Sequence, residues 1–284
     1  MPANALPTVT CIGELLWDVL PAGRKLGGAP VNVAFHLAQL GVPVRVVTRL
    51  GRDEPGIAAR EMLEAHGLPL DDLQWDEHLP TGAAHVTLAA SGEATYRFVT
   101  PAAWDAIEDP AFTPEVVVFG SLAQRDARSA TAVREFAGRA RARVYDVNLR
   151  PPFVTVATVR ASLEIATIAK LNDAEAAQLA VELDLPAALP RFAESLAQAF
   201  DLEQVCITRG ASGAALWARD RWSETPGQTI EMVDTVGAGD AFLAALIRGW
   251  VAGEAPDVVL QSANRLGAYV ATQPGAMPRH PTPY

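Results

Sequence analysis

Residues 234–242 read DTVGAGDAF, and this glycine loop points to the fold of the chain. A β-type run at residues 230–233 precedes the loop, and a strongly helical, apolar run at residues 241–251 follows it. A strand, a glycine loop and a helix start form an anion site, because glycine permits close backbone approach and the first amides of the helix point outward. We expect Asp240 in the first helical turn. It is either a functional carboxylate or only a cap of the helix, where Asp is favoured.

A second glycine segment, LGGAPVNVA, occupies residues 26–34. The pair Gly27 and Gly28 allows a ligand to approach the backbone, and Pro30 suits the first position of a helix. Asn32, in the first turn, offers both a donor and an acceptor. The arrangement suits a neutral polyhydroxyl ligand. The alternative is an ordinary turn into a helix with Asn32 as a local cap.

Between these two segments, short β-type runs alternate with longer helical runs. This alternation predicts an α/β fold with a mainly parallel sheet covered by helices on both faces. The predicted strands are residues 8–12, 44–48, 116–119, 144–147, 168–171 and 205–208. The predicted helices are residues 31–40, 56–66, 127–139, 174–182 and 191–200. The Pro-rich stretch at residues 274–283 is expected to be irregular.

Two segments interrupt the alternation. Residues 13–21 follow the first strand, and residues 82–100 contain two strand-like runs around Ser91 and Gly92, which is typical of a hairpin. We expect both to leave the main sheet and form a small β lid, from about residues 13–30 and 82–103, on a single domain spanning residues 1–284. An exposed lid sheet could also join two copies of the chain in a homodimer.

Charge excludes some classes of function. The 284-residue chain has a formal net charge of −10, so binding of nucleic acid through bulk positive charge is not expected. Only Lys25 and Lys170 are lysines, and both precede leucine. A P-loop is therefore excluded, since that motif needs Lys followed by Ser or Thr. Lys170 is expected to have a structural or supporting role.

The cysteine pattern and the lack of a recognisable targeting signal both predict a cytoplasmic protein. Cys11 and Cys206 are far apart in apolar runs, which favours isolated buried thiols over a disulfide or zinc site. Residues 1–7 lack the features of a signal peptide, and no run approaches the length of a membrane span. No membrane partner is expected.

Taken in order, six segments resemble the ribokinase-like (PfkB) family of carbohydrate kinases. Residues 13–21 look like the fructokinase version of the first substrate segment, and residues 27–40 and 234–242 are similar to the two family signatures. Three shorter motifs lie between them: DVNLRP at residues 146–151, NDAE at residues 172–175 and TRGASG at residues 208–213. The resemblance implies a ribokinase-like three-layer sandwich with a mainly parallel central sheet and a small β lid.

The resemblance also implies a role for each matching residue. Asp240 would be the catalytic base, and the amides of Gly237, Ala238 and Gly239 would stabilise the transferring phosphoryl group. The sugar would be bound by Asp18, Gly27, Gly28 and Asn32. The region of ATP and Mg²⁺ would be formed by Asn172, Thr208, Gly210, Gly213, Asn264 and Glu175, the last through water. Asp234 and Gly275 resemble a potassium site. Arg150, just past a strand end, is either near substrate or phosphate, or a surface ion-pair partner.

The implied function is an ATP-dependent sugar kinase that transfers the γ-phosphoryl group of ATP to a sugar hydroxyl, with fructose favoured. The alternatives are a 2-keto-3-deoxygluconate or ribose kinase, then a nucleoside kinase, or a non-catalytic sugar sensor on the same fold. A nicotinamide dehydrogenase is disfavoured, because no G-x-G-x-x-G follows the first strand.

Overall fold

The computed structural model describes residues 5–20, 23–88 and 94–281, in which strands and helices alternate. The strands are β1 (Val9–Ile12), β2 (Leu16–Leu20), β3 (Gly23–Gly27), β4 (Val44–Gly51), β5 (Leu73–Asp76), β6 (Gly82–Leu88), β7 (Ala94–Phe98), β8 (Val116–Gly120), β9 (Ala142–Asp146), β10 (Ile168–Asn172), β11 (Gln204–Thr208), β12 (Ala214–Ala218) and β13 (Arg221–Thr225). The helices are α1 (Ala29–Gln39), α2 (Glu54–Ala65), α3 (Ala127–Gly138), α4 (Val156–Leu163), α5 (Asp173–Glu182), α6 (Leu189–Phe200), α7 (Ala238–Val251) and α8 (Pro256–Ala271).

Nine strands form the main sheet, in the order β13-β12-β11-β10-β9-β8-β1-β4-β5. The seven strands from β11 to β5 are parallel, and β12 and β13 add an antiparallel edge. Because parallel strands end at one edge, the carboxyl ends of β11, β10, β9, β8 and β1 lie there in that order. Ligands of open α/β sheets bind beyond such an edge.

Helices cover both faces of this sheet. Along β8, Val116 and Val118 belong to one apolar core, while Val117 and Phe119 belong to the other. The first core contains residues of α1, α2, α7 and α8, and the second contains residues of α3, α4, α5 and α6. Burial on both faces explains why the strands read as continuous apolar runs. The predicted three-layer α/β architecture is confirmed.

A second, four-stranded sheet stands apart in the order β3-β2-β6-β7. β2 pairs with β3 and β6 with β7 in antiparallel fashion, and β2 and β6 run parallel. The hairpin expected in residues 82–100 is therefore present as β6 and β7, although Ser91 and Gly92 lie outside the described residues. This sheet uses residues from both segments that interrupt the alternation in the sequence.

One predicted strand is wrong. Residues 230–233 form no strand; instead, the N–H groups of Val233 and Asp234 donate to the carbonyl of Ala271, at the end of α8, over 2.9 and 3.3 Å. Met232 and Val233 are 67% and 61% exposed. The run has β-type residues, but its backbone bonds to the end of α8 and not to a neighbouring strand. An exposed loop, and not a strand, therefore precedes the glycine loop in the chain.

The other predicted strands and helices are present with shifted ends, and β5, β12, β13, α4 and α8 are additional. The described part of the stretch at 274–283 contains neither helix nor strand, as expected. Within the described ranges, no helix combines the length and the apolar character that crossing a bilayer requires.

Candidate active site

The glycine loop of residues 237–239 lies at the start of α7. Gly237 is the N-cap residue and has a left-handed backbone with φ of +79°. A Cβ atom at this position would lie 2.5 Å from the Cα of Ala276, so only glycine fits without movement of the C-terminal segment. The amide of Ala238 donates weakly to the carbonyl of Thr235 at 3.3 Å. The positive end of the α7 dipole lies at this loop and favours an anion there.

Asp240 lies in the first turn of α7 and faces another helix. Its Oδ2 accepts a hydrogen bond of 2.7 Å from Nδ2 of Asn32, on α1. A bond to a distant helix is not what a local cap makes, so the geometry favours the functional interpretation of Asp240. Burial raises the pKa of Asp240 to about 6, and Asp146 adds to this rise, while Lys170 opposes it. The carboxyl is therefore mostly ionised at neutral pH.

Asn32 is 4% exposed and stands one turn into α1. Its backbone N–H donates to the carbonyl of Gly28, the N-cap residue, over 3.0 Å. Its Oδ1 is buried and has no partner within the described part of the chain. Asn32 thus holds Asp240 with its donor and keeps an acceptor available for a ligand with a hydroxyl group.

Asp18 belongs to strand β2 of the second sheet. A Cβ atom at Gly27 would lie 2.7 Å from Oδ2 of Asp18, so this glycine makes room for the carboxylate. Burial raises the pKa of Asp18 to about 6, whereas the positive charges of Arg150 and Lys25 lower it. Asp18 and Gly27 are thus in contact on the neighbouring strands β2 and β3 of the second sheet.

Arg150 exerts its charge on Asp18, Asp240 and a third carboxyl group, that of Glu14. Its guanidinium donates to the carbonyl of Leu149 over 2.9 Å. Of the two interpretations of Arg150, this placement supports the one near substrate or phosphate.

Glu14 is a buried carboxyl group near these residues, and sequence reasoning did not single it out. It is 3% exposed, its Oε2 has no partner among the described residues, and burial raises its pKa to about 7. The N–H of Ala29 bonds to its carboxylate. A Cβ atom at Gly28 would lie 2.3 Å from the carbonyl oxygen of Glu14, so the two segments are in direct contact. An acidic residue between a glycine and an apolar run was the available signal.

Lys170 and Asp146 form a buried ion pair on neighbouring strands. Nζ of Lys170 lies 3.0 Å from Oδ1 of Asp146, and a Cβ atom at Gly239 would lie 3.3 Å from the same Nζ. The pair raises the pKa of Lys170 despite its burial, so the ammonium stays charged. The glycine loop contains no lysine, yet a lysine from β10 lies directly against it.

Asn172 and Glu175 lock the start of α5 in a capping box. Oδ1 of Asn172 accepts from the amide of Glu175 at 2.8 Å, and Oε2 of Glu175 accepts from the amide of Asn172 at 2.9 Å. The other oxygen of Glu175 accepts from the amide of Leu149 at 2.8 Å. Both carboxylate oxygens are thereby fixed at the carboxyl end of β10.

The expected nucleotide segment adjoins this box. Thr208 is opposite Asn172 in the parallel register of β10 and β11. Gly210 and Gly213 both have positive φ, and Gly213 packs so tightly that a Cβ atom would lie 2.0 Å from the carbonyl oxygen of Thr225. Nδ2 of Asn264 donates to the carbonyl of Pro226 at 2.9 Å, which fixes the segment that crosses this turn.

Asp234 and Gly275, the expected cation site, are adjacent. The amide of Gly275 donates to Oδ2 of Asp234 and the amide of Val236 to Oδ1, each at 3.0 Å. Nζ of Lys25 lies 3.8 Å from the same Oδ2. In the described part of the chain, no group of three or more His, Cys, Asp or Glu side chains could hold a metal ion.

Comparison with known proteins identifies the family of the chain. Residues 16–283 match the family described as pfkB family carbohydrate kinase. The chain is 32% identical to Fructokinase-1 of Oryza sativa subsp. japonica, over 96% of this chain and 94% of that protein. It is 29% identical to the fructokinase of Salmonella typhimurium, over 95% of this chain and 94% of that protein.

Solved structures share the fold. A double mutant of the fructokinase from Vibrio cholerae O395, with fructose, ADP and a potassium ion bound, matches with a TM-score of 0.83 and 24% identity, over 96% of this chain and 94% of that one. The aminoimidazole riboside kinase of Salmonella enterica matches with a TM-score of 0.81 and 26% identity, over 95% and 96%. With a match that spans nearly its whole length, the chain belongs to the pfkB family of carbohydrate kinases.

Proposed function

We propose that this enzyme transfers the γ-phosphoryl group of ATP to a hydroxyl of fructose. The observation that carries the proposal is the buried Asp240, held at 2.7 Å by Asn32 in the first helical turn beside the glycine loop. A base and an anion site then lie on the same turn of α7. The names of the curated relatives, which are fructokinases, favour fructose as the sugar.

The sugar would lie between the second sheet and the start of α1. Asp18, Gly27 and Gly28 line this space, and the free Oδ1 of Asn32 would accept one sugar hydroxyl. Arg150 would offset the negative charge of the surrounding carboxylates. Neutral ligands with several hydroxyl groups suit such a set of acceptors.

In the transfer step, the carboxylate of Asp240 takes the proton of the attacking hydroxyl. The sugar oxygen forms a bond to the γ-phosphorus, and the bond between that phosphorus and the bridging oxygen breaks, leaving ADP. The transition state is loose, so positioning and charge stabilisation dominate. The amides at Gly237, Ala238 and Gly239 and the dipole of α7 would stabilise the transferring group, and the Ala238 amide would leave its 3.3 Å bond to Thr235 to do so.

We further propose that ATP lies along the carboxyl ends of β10 and β11. Thr208, Gly210 and Gly213 would contact the nucleotide, and Asn264 would hold the crossing segment in place. Asn172 and Glu175 would organise the region of Mg²⁺, with Glu175 acting through water, since both of its oxygens already accept backbone amides. When bound, Mg²⁺ would neutralise the charge on the phosphates.

The four-stranded sheet is proposed to act as the lid of a single domain. It carries Asp18 and Gly27 and stands apart from the main sheet. Closure over the sugar would exclude water, which competes with the sugar for ATP. We also propose that two copies of the chain form a homodimer through the edges of this sheet. Light scattering of the purified protein tests this.

We also propose a cytoplasmic location and a positive charge beside Asp234, at the position expected for potassium. The free, buried thiols of Cys11 and Cys206 suit a reducing compartment. Asp234 and Gly275 are adjacent, as the expected potassium site requires, but the ammonium of Lys25 already lies 3.8 Å from the carboxylate of Asp234. The fit to potassium is therefore incomplete.

The test is ATP consumption with a panel of fructose, ribose, 2-keto-3-deoxygluconate and purine nucleosides. We expect the highest kcat/KM with fructose. Turnover of the keto-sugar acid or ribose without turnover of fructose would show that the proposed substrate is wrong, while the chain would still be a sugar kinase. Binding of fructose and ATP without turnover of any member of the panel would favour a sugar sensor.

A further inference from the structure

We infer that the ammonium of Lys25 takes the place of a monovalent cation at Asp234 and links the second sheet to the glycine loop. The inference builds on the proposed function, because it concerns how that same site is charged. Three observations carry it: the position of Lys25, the bonds of Asp234, and the contact of Ala276 with Gly237.

Lys25 lies on β3, the edge strand of the four-stranded sheet. It pairs directly with Asp18 in the antiparallel register of β2 and β3, so the two side chains share one face. From this face, Nζ lies 3.8 Å from Oδ2 of Asp234 and 3.9 Å from the position that a Cβ atom of Gly275 would take. The side chain of Lys25 thus extends from the face of the sheet that carries Asp18 to the loop that precedes α7.

Asp234 connects the ammonium to the glycine loop. Its two oxygens accept the amides of Val236 and Gly275, each at 3.0 Å. Ala276, which follows Gly275, packs against Gly237 so closely that a Cβ atom there would meet its Cα at 2.5 Å. A change at the carboxylate of Asp234 is therefore passed to both sides of the glycine loop.

A positive charge is needed at this position. A carboxylate without a positive partner, three residues before the glycine loop, would repel the phosphates that the loop must bind. Like charges a few ångströms apart repel each other near a protein surface. The same repulsion acts between a potassium ion and the ammonium of Lys25, so the two compete for one oxygen of Asp234.

Arg24 provides a matched control. It is the neighbour of Lys25 on β3, but it pairs with Glu54 at 2.6 Å and lies over the ring of Trp17 at 4.6 Å. Its side chain is on the opposite face of the strand, since successive residues alternate. Arg24→Met removes a positive charge from the same strand and leaves Asp234 untouched.

The experiment compares the wild type, Lys25→Met and Arg24→Met in KCl and in choline chloride at equal ionic strength. For the wild type and Arg24→Met, kcat/KM for ATP should differ by less than about two-fold between the salts. For Lys25→Met, it should fall by about ten-fold in choline chloride and recover in KCl. We expect no larger loss, because the Lys25 side chain is 56% exposed and water screens the pair.

A second measurement does not depend on turnover. The melting temperature of Lys25→Met should rise in KCl relative to choline chloride, and that of the wild type and Arg24→Met should not. Three results would overturn the inference: strong potassium activation of the wild type, a Lys25→Met enzyme that behaves like Arg24→Met, or a loss in Lys25→Met that KCl does not restore. If no protein phosphorylates fructose in either salt, the proposed function fails, while the melting temperatures still test Lys25.

Discussion

Nδ2 of Asn32 lies 2.7 Å from Oδ2 of Asp240, joining the first turns of two helices whose residues are 208 positions apart in the chain. The bond orients the carboxylate and leaves Oδ1 of Asn32 without a partner among the described residues. One amide therefore links the expected base to the expected sugar site.

The first prediction concerns Asp240. Asp240→Asn keeps the shape of the side chain but removes the base, so kcat should fall by about 10² or more while sugar and ATP binding change only a few-fold. Steady-state kinetics and calorimetric binding measure the two effects. Asp257→Asn, at an exposed first-turn aspartate of α8, is the control and should retain full turnover. Unchanged turnover in Asp240→Asn would leave Asp240 as a structural residue.

The second prediction uses the buried pair of Lys170 and Asp146. Because the base must be ionised, kcat/KM should fall as the pH drops through about 6, the pKa of Asp240. Lys170→Met removes a charge that lowers this pKa, so the acid limb should move to higher pH. The variant should also lose roughly 3–5 kcal/mol of stability, since Asp146 is left unpaired.

The double variant Asp146→Asn/Lys170→Met is the control for the second prediction. It removes both charges and should recover much of the stability in denaturant unfolding. Should Lys170→Met keep the acid limb of the wild type, the ammonium does not act on Asp240.

A third prediction tests the tight packing of Gly237. Gly237→Ala combines a positive φ with a Cβ atom 2.5 Å from Ala276, so it should displace the glycine loop and reduce kcat. Gly41→Ala has a similar φ of +75° and no atom within 4 Å of the added Cβ. It should cost about 1 kcal/mol of stability and leave kcat unchanged. Equal kinetics for the two variants would contradict a role for the contact with Ala276.

The fourth prediction concerns the histidine pair that supports Ala276. Nε2 of His36 lies 2.9 Å from the carbonyl of Ala276, which can only accept, so Nε2 carries the proton and Nδ1 accepts from His280 at 2.8 Å. Burial lowers the pKa of His36 to about 3. The stability due to neutral His36 is complete above about pH 6.5, the value in the unfolded chain, and is lost as the pH falls toward 3.

His36→Gln should remove that pH dependence. Between pH 6 and 4, the difference in unfolding free energy between wild type and variant should shrink by about 1.4 kcal/mol per pH unit. Taking the difference cancels the opposite contribution of buried carboxyls such as Glu14. Parallel unfolding curves across this range would show that His36 is not the titrating group.

The fifth prediction concerns Glu14. Its carboxylate accepts the N–H of Ala29, at the start of α1, so Glu14→Leu should raise the KM for the sugar by about ten-fold and leave the KM for ATP unchanged. Glu14→Gln keeps an acceptor and should restore most of the sugar affinity. Thr167→Val, which removes buried hydrogen bonds at the amino end of β10, controls for general destabilisation. A rise in both KM values would mark Glu14 as a stability residue only.

The sequence alone determined the architecture, because alternation and helical periodicity are local properties. The run at 230–233 shows the limit of this reasoning: its residues suit a strand, but its backbone bonds to Ala271 at the end of α8 and not to a neighbouring strand. The helix start at 237–241 was evident, since glycine and the apolar run that follows mark it locally.

The tertiary structure decided which charges meet. Three pairs of neighbouring groups are far apart in the sequence: Lys170 and Gly239, Lys25 and Asp234, and Glu14 and Asp240. No pattern along the chain predicts that they are close in space. Only the parallel order of the strands brings Lys170 against the glycine loop, and only the second sheet carries Lys25 to Asp234. A chain with two lysines thus places both beside its expected phosphate loop, because charge interactions depend on distance in space and not on position in the sequence.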